Sequence, residues 1–337
     1  MTYVKNNFPL LKLNTFNLNV TCMHFFEFSK SQLLIDLLKD SYYRNLPKVI
    51  LGNGSNILFT KKFDGLVIRP VHKGIKIIEE NADSVIVKVG SNESWDDFTE
   101  FAANKNFYGI ENLAGIPGTV GAAPIQNIGA YGQEVCSSIH FVSAINIETG
   151  EKKDFYQNDC EFGYRDSIFK SKYKNQYIIL TVHFKLSINP DFNLSYGNLK
   201  ERVLEFGEIN ISNIRKAVLT IRKEKLPDYT HTGNAGSFFK NPVVDAPFFK
   251  SLQSQFPNIP FYLSDNTNYK IPAAWLIEKC GWKAYKDGTV GVYEKQPLIL
   301  INLGNAKGQD IVDLAHKISD SVKKRFGIKL QTEVNII

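Results

Sequence analysis

The sequence predicts an α+β fold, not a doubly wound sheet in which strands and helices alternate regularly. Strand-like and helix-like segments follow one another without a regular βαβ order. Residues 143–147 and 152–156 are separated only by Glu148-Thr149-Gly150-Glu151, a pattern that predicts a hairpin. Hydrophobic residues make up 43% of the 337 residues, an ordinary globular share that can supply the cores of two or three domains.

The first 70 residues are predicted to combine a helix with short strands. Leucines at helical spacing within residues 29–39 predict an amphipathic helix: Leu33, Leu34, Leu37 and Leu38. Residues 48–51 predict a strand that leads into Gly52-Asn53-Gly54-Ser55-Asn56, and residues 57–59 resume extended structure.

The segment from about residue 71 is predicted to begin with strands. Residues 84–89 alternate as a strand does, and residues 176–186 predict another strand after the hairpin. Ser94 is predicted to cap a helix whose first turn holds Asp96 and Asp97. That helix has one apolar face, formed by Trp95, Phe98, Phe101 and Ala102.

A third segment follows Lys225-Leu226-Pro227, where a helix through residues 214–224 must end before the proline. It is predicted to hold a helix at 273–279, a strand at 298–301 and a final strand at 329–337. Between the two strands, a long amphipathic helix is predicted from Ile311, Leu314, Ala315, Ile318 and Val322.

Bulk properties exclude several classes of function. The net charge of +6 is mild and no Lys/Arg-dense tract occurs, so no nucleic-acid partner is expected. The N-terminus lacks the features of a signal peptide, and no apolar run is long enough to span a bilayer. The chain has four scattered cysteines without a CxxC pair, which favours a reducing cytoplasm and predicts neither disulfides nor a metal site. Because GxSxG and HExxH are absent, a hydrolase is disfavoured.

Two glycine-rich stretches carry the first functional signal. Gly52-Asn53-Gly54-Ser55-Asn56 follows a strand and could form a backbone N–H cradle for phosphate, although this pentapeptide by itself favours a plain tight turn. Residues 111–132 contain five glycines and two prolines and almost no charge. Such a long uncharged loop favours close backbone approach to a ligand, and the structural alternative is a buried crossover.

Five ordered blocks resemble the UDP-N-acetylenolpyruvoylglucosamine reductase family (MurB), whose flavin-binding part is of the vanillyl-alcohol-oxidase type. The blocks are ILGNGSNILF, ENLAGIPGTVGAAPIQNIGAYG, FGYRDSIFK at 162–170, GNAGSFFKNP at 233–242 and the C-terminal Glu333. The resemblance runs from about Asn14 to Val334. One departure is Thr332, which stands where the family usually has proline before the terminal glutamate.

The resemblance implies a two-subdomain FAD-binding fold with a C-terminal α+β substrate-binding domain. The first FAD-binding subdomain is expected over residues 1–70, and the second over residues 71–225, rejoined by 328–337. The substrate-binding domain is expected over residues 226–327. In the family the first loop holds the FAD pyrophosphate and the second wraps the ribityl chain and isoalloxazine. The implied cofactor-binding residues are Gly52, Asn53, Gly54, Ser55, Asn56, Ile116, Pro117, Gly118, Gly121, Ala122, Gln126, Asn127, Ile128, Gly129, Ala130 and Tyr131. No histidine stands where covalent-flavin relatives tether the cofactor, so noncovalent FAD is expected.

The resemblance also implies a reaction: reduction of the enolpyruvyl group of UDP-N-acetylglucosamine-enolpyruvate, with NADPH as reductant. During this reduction, negative charge builds on the carbon next to the substrate carboxylate. The reaction therefore needs a fixed cation at the carboxylate and an acid that protonates this carbon. Arg165 matches the carboxylate-binding cation, Ser237 the proton donor, and Glu333 a group beside the same carboxylate. Each has a plainer alternative: an Arg165–Asp166 ion pair, a turn hydroxyl and a solvated terminal glutamate.

Five further residues match substrate-binding positions. Those matched to the UDP diphosphate are Tyr196, Lys225, Asn241 and Gln296. Tyr262 matches a tyrosine of a mobile loop, within residues 257–265, that closes over substrate in the longer of two family types. The implied enzyme is a cytoplasmic monomer. Two rivals stay open here: another oxidoreductase of the same flavin fold, and a nucleotide-sugar-binding protein without turnover.

Overall fold

The computed structural model describes residues 4–263 and 267–337, and its chain forms two compact units. The first unit holds residues 4–8, 22–53 and 64–224, and the second holds 9–21, 54–63 and the described part of 225–337. The chain therefore leaves the first unit between Asn53 and Gly54, inside the first glycine-rich stretch. Residues 264 and 265 of the loop predicted over 257–265 lie outside the described residues.

The first unit contains a four-stranded sheet with the order Val4–Pro9, Thr21–Phe28, Phe63–Pro70 and Lys48–Ile50. The last two strands are parallel. The helix Ser31–Lys39 contributes Leu34, Leu37 and Leu38 to the core of this region, as their spacing predicted. The short helix Ser41–Asn45 follows.

A five-stranded antiparallel sheet forms the other part of the first unit. Its order is Lys152–Tyr156, Ile139–Asn146, Tyr177–Ser187, Ser84–Gly90 and Ile75–Glu80. The helix Trp95–Asn104 packs Trp95 and Phe98 against Phe184 of the central strand. The Ser94 hydroxyl caps this helix by accepting the Asp97 N–H at 3.4 Å, so the predicted cap is confirmed.

The connections of the first unit are short turns and two more helices. The helices are Leu199–Leu204 and Ile211–Lys225, and the second ends before Pro227 as predicted. One- to two-turn 3-10 segments occupy Glu111–Leu113, Val120–Ala122, Val135–Ser138 and Gln157–Cys160. The two-residue strands Gly129–Ala130 and Gln133–Glu134 close a small antiparallel hairpin.

Within its described residues, the second unit contains two three-stranded sheets and three helices. One sheet has the order Val243–Asp245, Asn268–Lys270 and Tyr262–Leu263, and the other Lys286–Asp287, Val290–Val292 and Leu300–Asn302. The helices are Ala246–Gln255, Ala273–Lys279 and Gly308–Phe326. The short 3-10 segment Leu11–Leu13 also belongs to this unit. The predicted face of the long helix is buried in this unit's core.

The end of the chain is the clearest correction to the predicted elements. A strand was expected over residues 329–337, but only Asn335–Ile336 forms one, parallel to Ile57–Leu58. The preceding residues pair singly with residues 238–240, as in the bridge between Phe239 and Thr332. The strand expected at 298–301 similarly lies at Leu300–Asn302, because Leu298 and Ile299 pair with the 237–238 segment instead.

The α+β fold class is confirmed, and the hairpin of residues 143–156 is present with Ser143 opposite Asp154. No helix in the described ranges combines the length and the apolar character that a bilayer crossing requires. The division into 1–70, 71–225 with 328–337, and 226–327 stays a prediction, since the two units are defined by compactness and the predicted parts by what each binds.

Candidate functional site

The two glycine-rich stretches meet at Gly52 in the first unit. A Cβ atom at Gly52 would lie 2.7 Å from the Thr119 Oγ1, so only glycine fits beside this side chain. Thr119 is itself buried and bridges to Ser94 at the start of the helix Trp95–Asn104. The close approach that glycine permits is therefore used to join the two loops.

Residues 111–132 are held by side chains that lie far away in sequence. The Asp96 Oδ1 accepts the Gly115 N–H at 2.7 Å and the Arg215 Nη1 at 2.6 Å. The Arg222 Nε donates to the Gly115 carbonyl at 3.0 Å. Burial raises the pKa of the Asp96 carboxyl, but the bonds from Arg215 and Gly115 outweigh it, and the net effect lowers that pKa. Side chains from two helices thus fix both backbone polar groups of Gly115.

A buried carboxylate fixes the start of the same loop. The Glu111 Oε2 accepts the N–H groups of Gly109 at 2.7 Å and Ile110 at 3.0 Å. The side chain is 3% exposed, and burial raises the pKa of this carboxyl despite those two bonds. Asn112 donates to the carbonyls of Tyr131 and Asn193. The loop is therefore anchored at its beginning, at Gly115 and near its end.

Unsatisfied polar atoms lie beside the turn around Gly121. Ser91 is buried, its carbonyl accepts the Gly121 N–H at 2.9 Å, and a Cβ at Gly121 would lie 2.6 Å from the Ser91 Cβ. The Ser91 Oγ and the neighbouring Asn92 Oδ1 are buried without a partner among the described residues. Near the other loop, the Arg69 Nη2 donates to Asn53 at 3.3 Å while its buried Nε has no described partner.

These features fit FAD. Buried polar groups are normally paired, so unsatisfied atoms next to a glycine-lined loop indicate a missing polar ligand. A hydroxyl-rich, diphosphate-bearing molecule offers partners for a serine hydroxyl, an amide oxygen and a guanidinium N–H. Of the predicted cofactor residues in residues 116–131, Asn127 and Ile128 are buried, Pro117 is exposed and the others are half-buried.

Arg165 occupies the tip of a tight turn. Gly163 and Asp166 exchange both backbone hydrogen bonds, at 3.1 and 3.2 Å, with Tyr164 and Arg165 between them. Arg165 has a φ of 56°, the left-handed region that such a turn requires at its second central residue. Its Nη2 donates to the Gly129 carbonyl at 2.5 Å and its Nη1 to the Asn127 carbonyl at 3.4 Å. The structure thus brings Arg165 against the second glycine-rich loop.

Ser237 belongs to the second unit, directly after a left-handed glycine. Gly236 has a φ of 69°, and its N–H donates to the Asn234 Oδ1 at 2.9 Å. The buried Asn234 also donates to the Thr232 carbonyl at 2.8 Å. Ser237 itself is half-buried and forms a bridge with Ile299. A fixed turn therefore presents the serine hydroxyl at a partly open position.

Glu333 lies next to Ser237 in the same unit. The Glu333 N–H donates to the Phe238 carbonyl at 2.8 Å, one residue from Ser237. The Asn56 Nδ2 donates to the Glu333 carbonyl at 3.3 Å. Glu333 is half-buried, so the side chain is not the fully solvated terminal glutamate of the plainer alternative. The structure brings Ser237, Glu333 and the end of the first glycine-rich stretch together.

The predicted substrate residues are distributed over both units, and none is shown in contact with a substrate. Tyr196 in the first unit is 45% exposed and meets Tyr131 edge to face at 5.9 Å. In the second unit, the Asn241 Oδ1 accepts the Ala273 N–H at 2.9 Å, at the start of a helix. Lys225 and Tyr262 are exposed there, and Gln296 is half-buried. Their roles stay predictions.

Several residues that hold the site were not singled out from the sequence. Asp96 was interpreted only as a favourable charge in a first helical turn, whereas its side chain binds Gly115 and Arg215. Arg222, which donates to the Gly115 carbonyl, and Glu134, whose Oε2 accepts the Asn127 Nδ2 at 2.8 Å, gave no signal. Single polar contacts of this kind leave no spacing pattern in the sequence. Only the absence of charge within the loop indicated that its partners had to come from elsewhere.

Two family models and several named relatives match this chain. A family model for the UDP-N-acetylenolpyruvoylglucosamine reductase C-terminal domain matches residues 228–337, and one for an FAD binding domain matches residues 24–154. Reductases of that name from Amoebophilus asiaticus and Porphyromonas gingivalis are 44% and 42% identical over 336 residues, 99% of each chain.

A solved structure shows the same fold. The crystal structure of UDP-N-acetylenolpyruvylglucosamine reductase from Thermus caldophilus superposes with a TM-score of 0.70 at 21% identity, covering 100% of this chain and 99% of that one. The FAD-binding part and the separate C-terminal domain implied by the sequence are confirmed. The chain therefore belongs to the UDP-N-acetylenolpyruvoylglucosamine reductase family of FAD-containing oxidoreductases.

Proposed function

We propose that this protein uses NADPH to reduce UDP-N-acetylglucosamine-enolpyruvate to UDP-N-acetylmuramate, a cytoplasmic step of peptidoglycan precursor synthesis. The observation that supports this most directly is the proximity of Ser237 and Glu333, since the Glu333 N–H donates to the carbonyl of Phe238, the residue after Ser237. It occurs in a chain whose relatives with this reductase name match over nearly their full length. The enzyme is expected to act as a monomer with noncovalent FAD.

Arg165 binds the substrate carboxylate in this proposal. A guanidinium carries a permanent charge and a planar set of donors suited to a carboxylate. Bound FAD supplies the redox chemistry, since a flavin can carry two electrons from NADPH to a carbon acceptor. As a hydride reaches the terminal carbon of the double bond, negative charge spreads from the adjacent carbon into the carboxylate, and Arg165 stabilises it there.

Ser237 completes the reduction by giving its hydroxyl proton to the adjacent carbon. A serine hydroxyl is a weak acid in water, but a carbanion is a much stronger base and can take this proton. The fixed turn at Gly236 and the half-buried setting support a defined orientation for the hydroxyl. Glu333 is proposed to lie beside the same carboxylate, where it stabilises the enol form or helps to protonate it. Solvent then returns a proton to the Ser237 oxygen.

The UDP diphosphate is held by a point charge and neutral donors in this proposal. The exposed Lys225 supplies the charge, and Tyr196, Asn241 and Gln296 supply the polar groups. Asn241 already uses its Oδ1 to accept the Ala273 N–H, which leaves its amide hydrogens directed elsewhere for a phosphate. Tyr262, 51% exposed, is proposed to close over bound nucleotide.

The two half-reactions test these roles separately. Replacing Ser237 with Ala should leave the rate of flavin reduction by NADPH nearly unchanged and slow reoxidation by the enolpyruvyl nucleotide by about 100-fold or more. The matched control is Ser254→Ala, which removes an exposed hydroxyl bonded only to its own helix. Anaerobic stopped-flow absorbance of the flavin would measure both rates.

A drop in both half-reactions together would remove Ser237 from the role of proton donor. Unchanged reoxidation after Arg165→Ala would likewise remove Arg165 from the site. Flavin that NADPH reduces but the enolpyruvyl nucleotide leaves reduced would favour another substrate for the same fold, and flavin that NADPH leaves oxidised would favour a binding protein without turnover.

A further inference from the structure

We propose that Asn127 and Glu134 form a positioning pair that sets the orientation of the Arg165 guanidinium. This inference rests on the role proposed above for Arg165. All four segments involved, around residues 127, 129, 134 and 165, belong to the first unit. The pair acts at two places, at the base of the turn that carries Arg165 and at the carbonyl groups that receive its guanidinium.

The side chain of Asn127 is saturated by contacts within the protein. Its Nδ2 donates to the Glu134 Oε2 at 2.8 Å and to the Gly163 carbonyl at 3.0 Å. Its Oδ1 accepts the Cys136 N–H at 3.1 Å. The residue is 1% exposed, and both amide hydrogens are used, so the side chain has no donor left for a cofactor. Its contribution is to hold other residues in place.

One of those contacts fixes the base of the Arg165 turn. Gly163 is the first residue of the turn, and its carbonyl accepts both the Asp166 N–H at 3.2 Å and the Asn127 Nδ2. Arg165 is held in the left-handed region, which costs a residue with a Cβ about 1–2 kcal/mol. A strained turn of this kind persists only when its surroundings determine it, and the second bond to Gly163 supplies such a constraint.

The same pair shapes the surface that receives the guanidinium. Asn127 has a φ of 47°, which points its backbone into a left-handed bend, and its carbonyl accepts the Arg165 Nη1. Glu134 pairs with Gly129 in the small hairpin, and the Gly129 carbonyl accepts the Arg165 Nη2. A Cβ at Gly129 would lie 2.8 Å from the Arg165 Nη1 and 3.0 Å from the Glu134 Cγ. Arg165 and Glu134 therefore enclose Gly129.

Glu134 is the charged group at one end of a chain of hydrogen bonds that leads to Arg165. Its carboxylate orients the Asn127 amide, the amide holds Gly163, and Gly163 fixes the turn whose guanidinium returns to the Asn127 and Gly129 carbonyls. A hydrogen bond to a carboxylate is stronger than one between neutral groups. Losing it removes one of the three hydrogen bonds that hold the Asn127 side chain and weakens its hold on Gly163. A small displacement of a substrate-binding cation is costly for catalysis.

The test compares Glu134→Ala with Glu134→Gln. The alanine variant should slow flavin reoxidation by the enolpyruvyl nucleotide about 10- to 100-fold, with kcat affected more than KM, while flavin reduction by NADPH changes less than about 3-fold. The glutamine variant keeps an acceptor for the Asn127 amide and should recover most of the lost rate. Ser137→Ala, an exposed hydroxyl that donates to the Glu134 carbonyl, is the matched control.

A double-mutant cycle with Arg165→Ala separates positioning from general support of the fold. If Glu134 acts through Arg165, then Glu134→Ala should have almost no further effect once the guanidinium is gone. Additive losses would contradict the proposal, and so would loss of FAD or an equal fall in both half-reactions. If Arg165→Ala alone leaves reoxidation unchanged, the proposed function fails at Arg165. If Arg165→Ala slows it and Glu134→Ala does not, only the positioning inference fails.

Discussion

Three residues in the left-handed region lie in the loop of residues 111–132 and in the turn that carries Arg165. Asn127, Tyr131 and Arg165 have φ values of 47°, 49° and 56°. Asparagine tolerates this region, but tyrosine and arginine adopt it at a cost of about 1–2 kcal/mol each. Strain of this kind is found where the surrounding contacts require one geometry, which agrees with a rigid binding loop.

The cost of a side chain at a left-handed position can be measured at Gly54 through the free energy of unfolding. Its φ is 66°, and a Cβ there would overlap the Leu13 carbonyl oxygen. Gly54→Ala should therefore lower the free energy of unfolding by about 2–4 kcal/mol, from backbone strain plus the clash. Gly288→Ala is the matched control, since Gly288 has a φ of 58° and open space around it, and it should cost only about 1 kcal/mol. Equal losses in urea unfolding would show that the clash is relieved elsewhere.

Residues were predictable from the sequence where a run of neighbours carried the signal. Ser237 and Arg165 were found through the blocks around them, and the structure places both in defined turns. Glu134 and Arg222 were not, because their partners, Asn127 and Gly115, are bound through side chain and backbone atoms that no spacing rule connects. The proposed chemistry of the predicted residues remains to be tested by the variants above.

At the scale of elements, the central strand of the five-stranded sheet, Tyr177–Ser187, carries a buried histidine. His183 stacks on Phe141 with ring centroids 3.8 Å apart and is 6% exposed. Its Nε2 lies 3.3 Å from the Thr181 hydroxyl, and its Nδ1 has no partner among the described residues. Burial, followed by the charge of Lys88, lowers the pKa of His183 to about 4, against a smaller opposite effect of Asp154.

This histidine predicts a loss of stability in acid. Between pH 6.5 and about 4 the unfolded chain binds a proton at His183 that the folded chain does not, so the free energy of unfolding falls as the pH is lowered. His183→Phe keeps a ring to stack on Phe141 and should remove up to about 3 kcal/mol of that fall. Urea unfolding at pH 7 and pH 4.5 would measure it. His316→Phe, on the exposed side of a helix, is the control, and an unchanged slope for His183→Phe would contradict this account.

The helix Trp95–Asn104 tests how the glycine-rich loop is held. Asp96→Ala should lower both FAD retention and the free energy of unfolding, the latter by about 2 kcal/mol, because the Gly115 N–H and Arg215 lose a charged acceptor. Asp97→Ala in the same first turn loses only a favourable interaction with the helix dipole, worth about 0.5 kcal/mol. FAD content after gel filtration and urea unfolding would distinguish the two variants. Similar losses would show that Asp96 acts only at the helix terminus.

Elements with regularly spaced apolar residues were predicted well. Elements held by pairing with segments far away in the sequence were not. The helices Ser31–Lys39 and Ala273–Lys279 lie where leucine spacing and apolar content placed them. The tail failed as a strand because residues 331–333 pair one by one with 238–240, a contact that depends on tertiary structure. The sheet order, with Ser84–Gly90 beside Tyr177–Ser187, likewise depends on pairing across about 100 residues that no local pattern reveals.

At the scale of the molecule, each of the two units has its own hydrophobic core. In the second unit the core includes Phe16, Leu58 and Phe238 together with the long helix Gly308–Phe326, so residues from three separate parts of the chain build it. The segment that carries Ser237 belongs to this core through Phe238 and Phe239, both nearly fully buried. The proton donor is therefore proposed to be carried on a rigid part of the fold.

The central claim is that one chain carries out both the oxidation of NADPH and the reduction of the enolpyruvyl nucleotide through its FAD. The most direct measurement is the visible spectrum of the purified protein under anaerobic conditions, first with NADPH and then with UDP-N-acetylglucosamine-enolpyruvate. We expect a yellow protein whose flavin absorbance bleaches with NADPH and returns when the nucleotide is added. A flavin that bleaches but stays reduced after the nucleotide is added would contradict the proposed substrate.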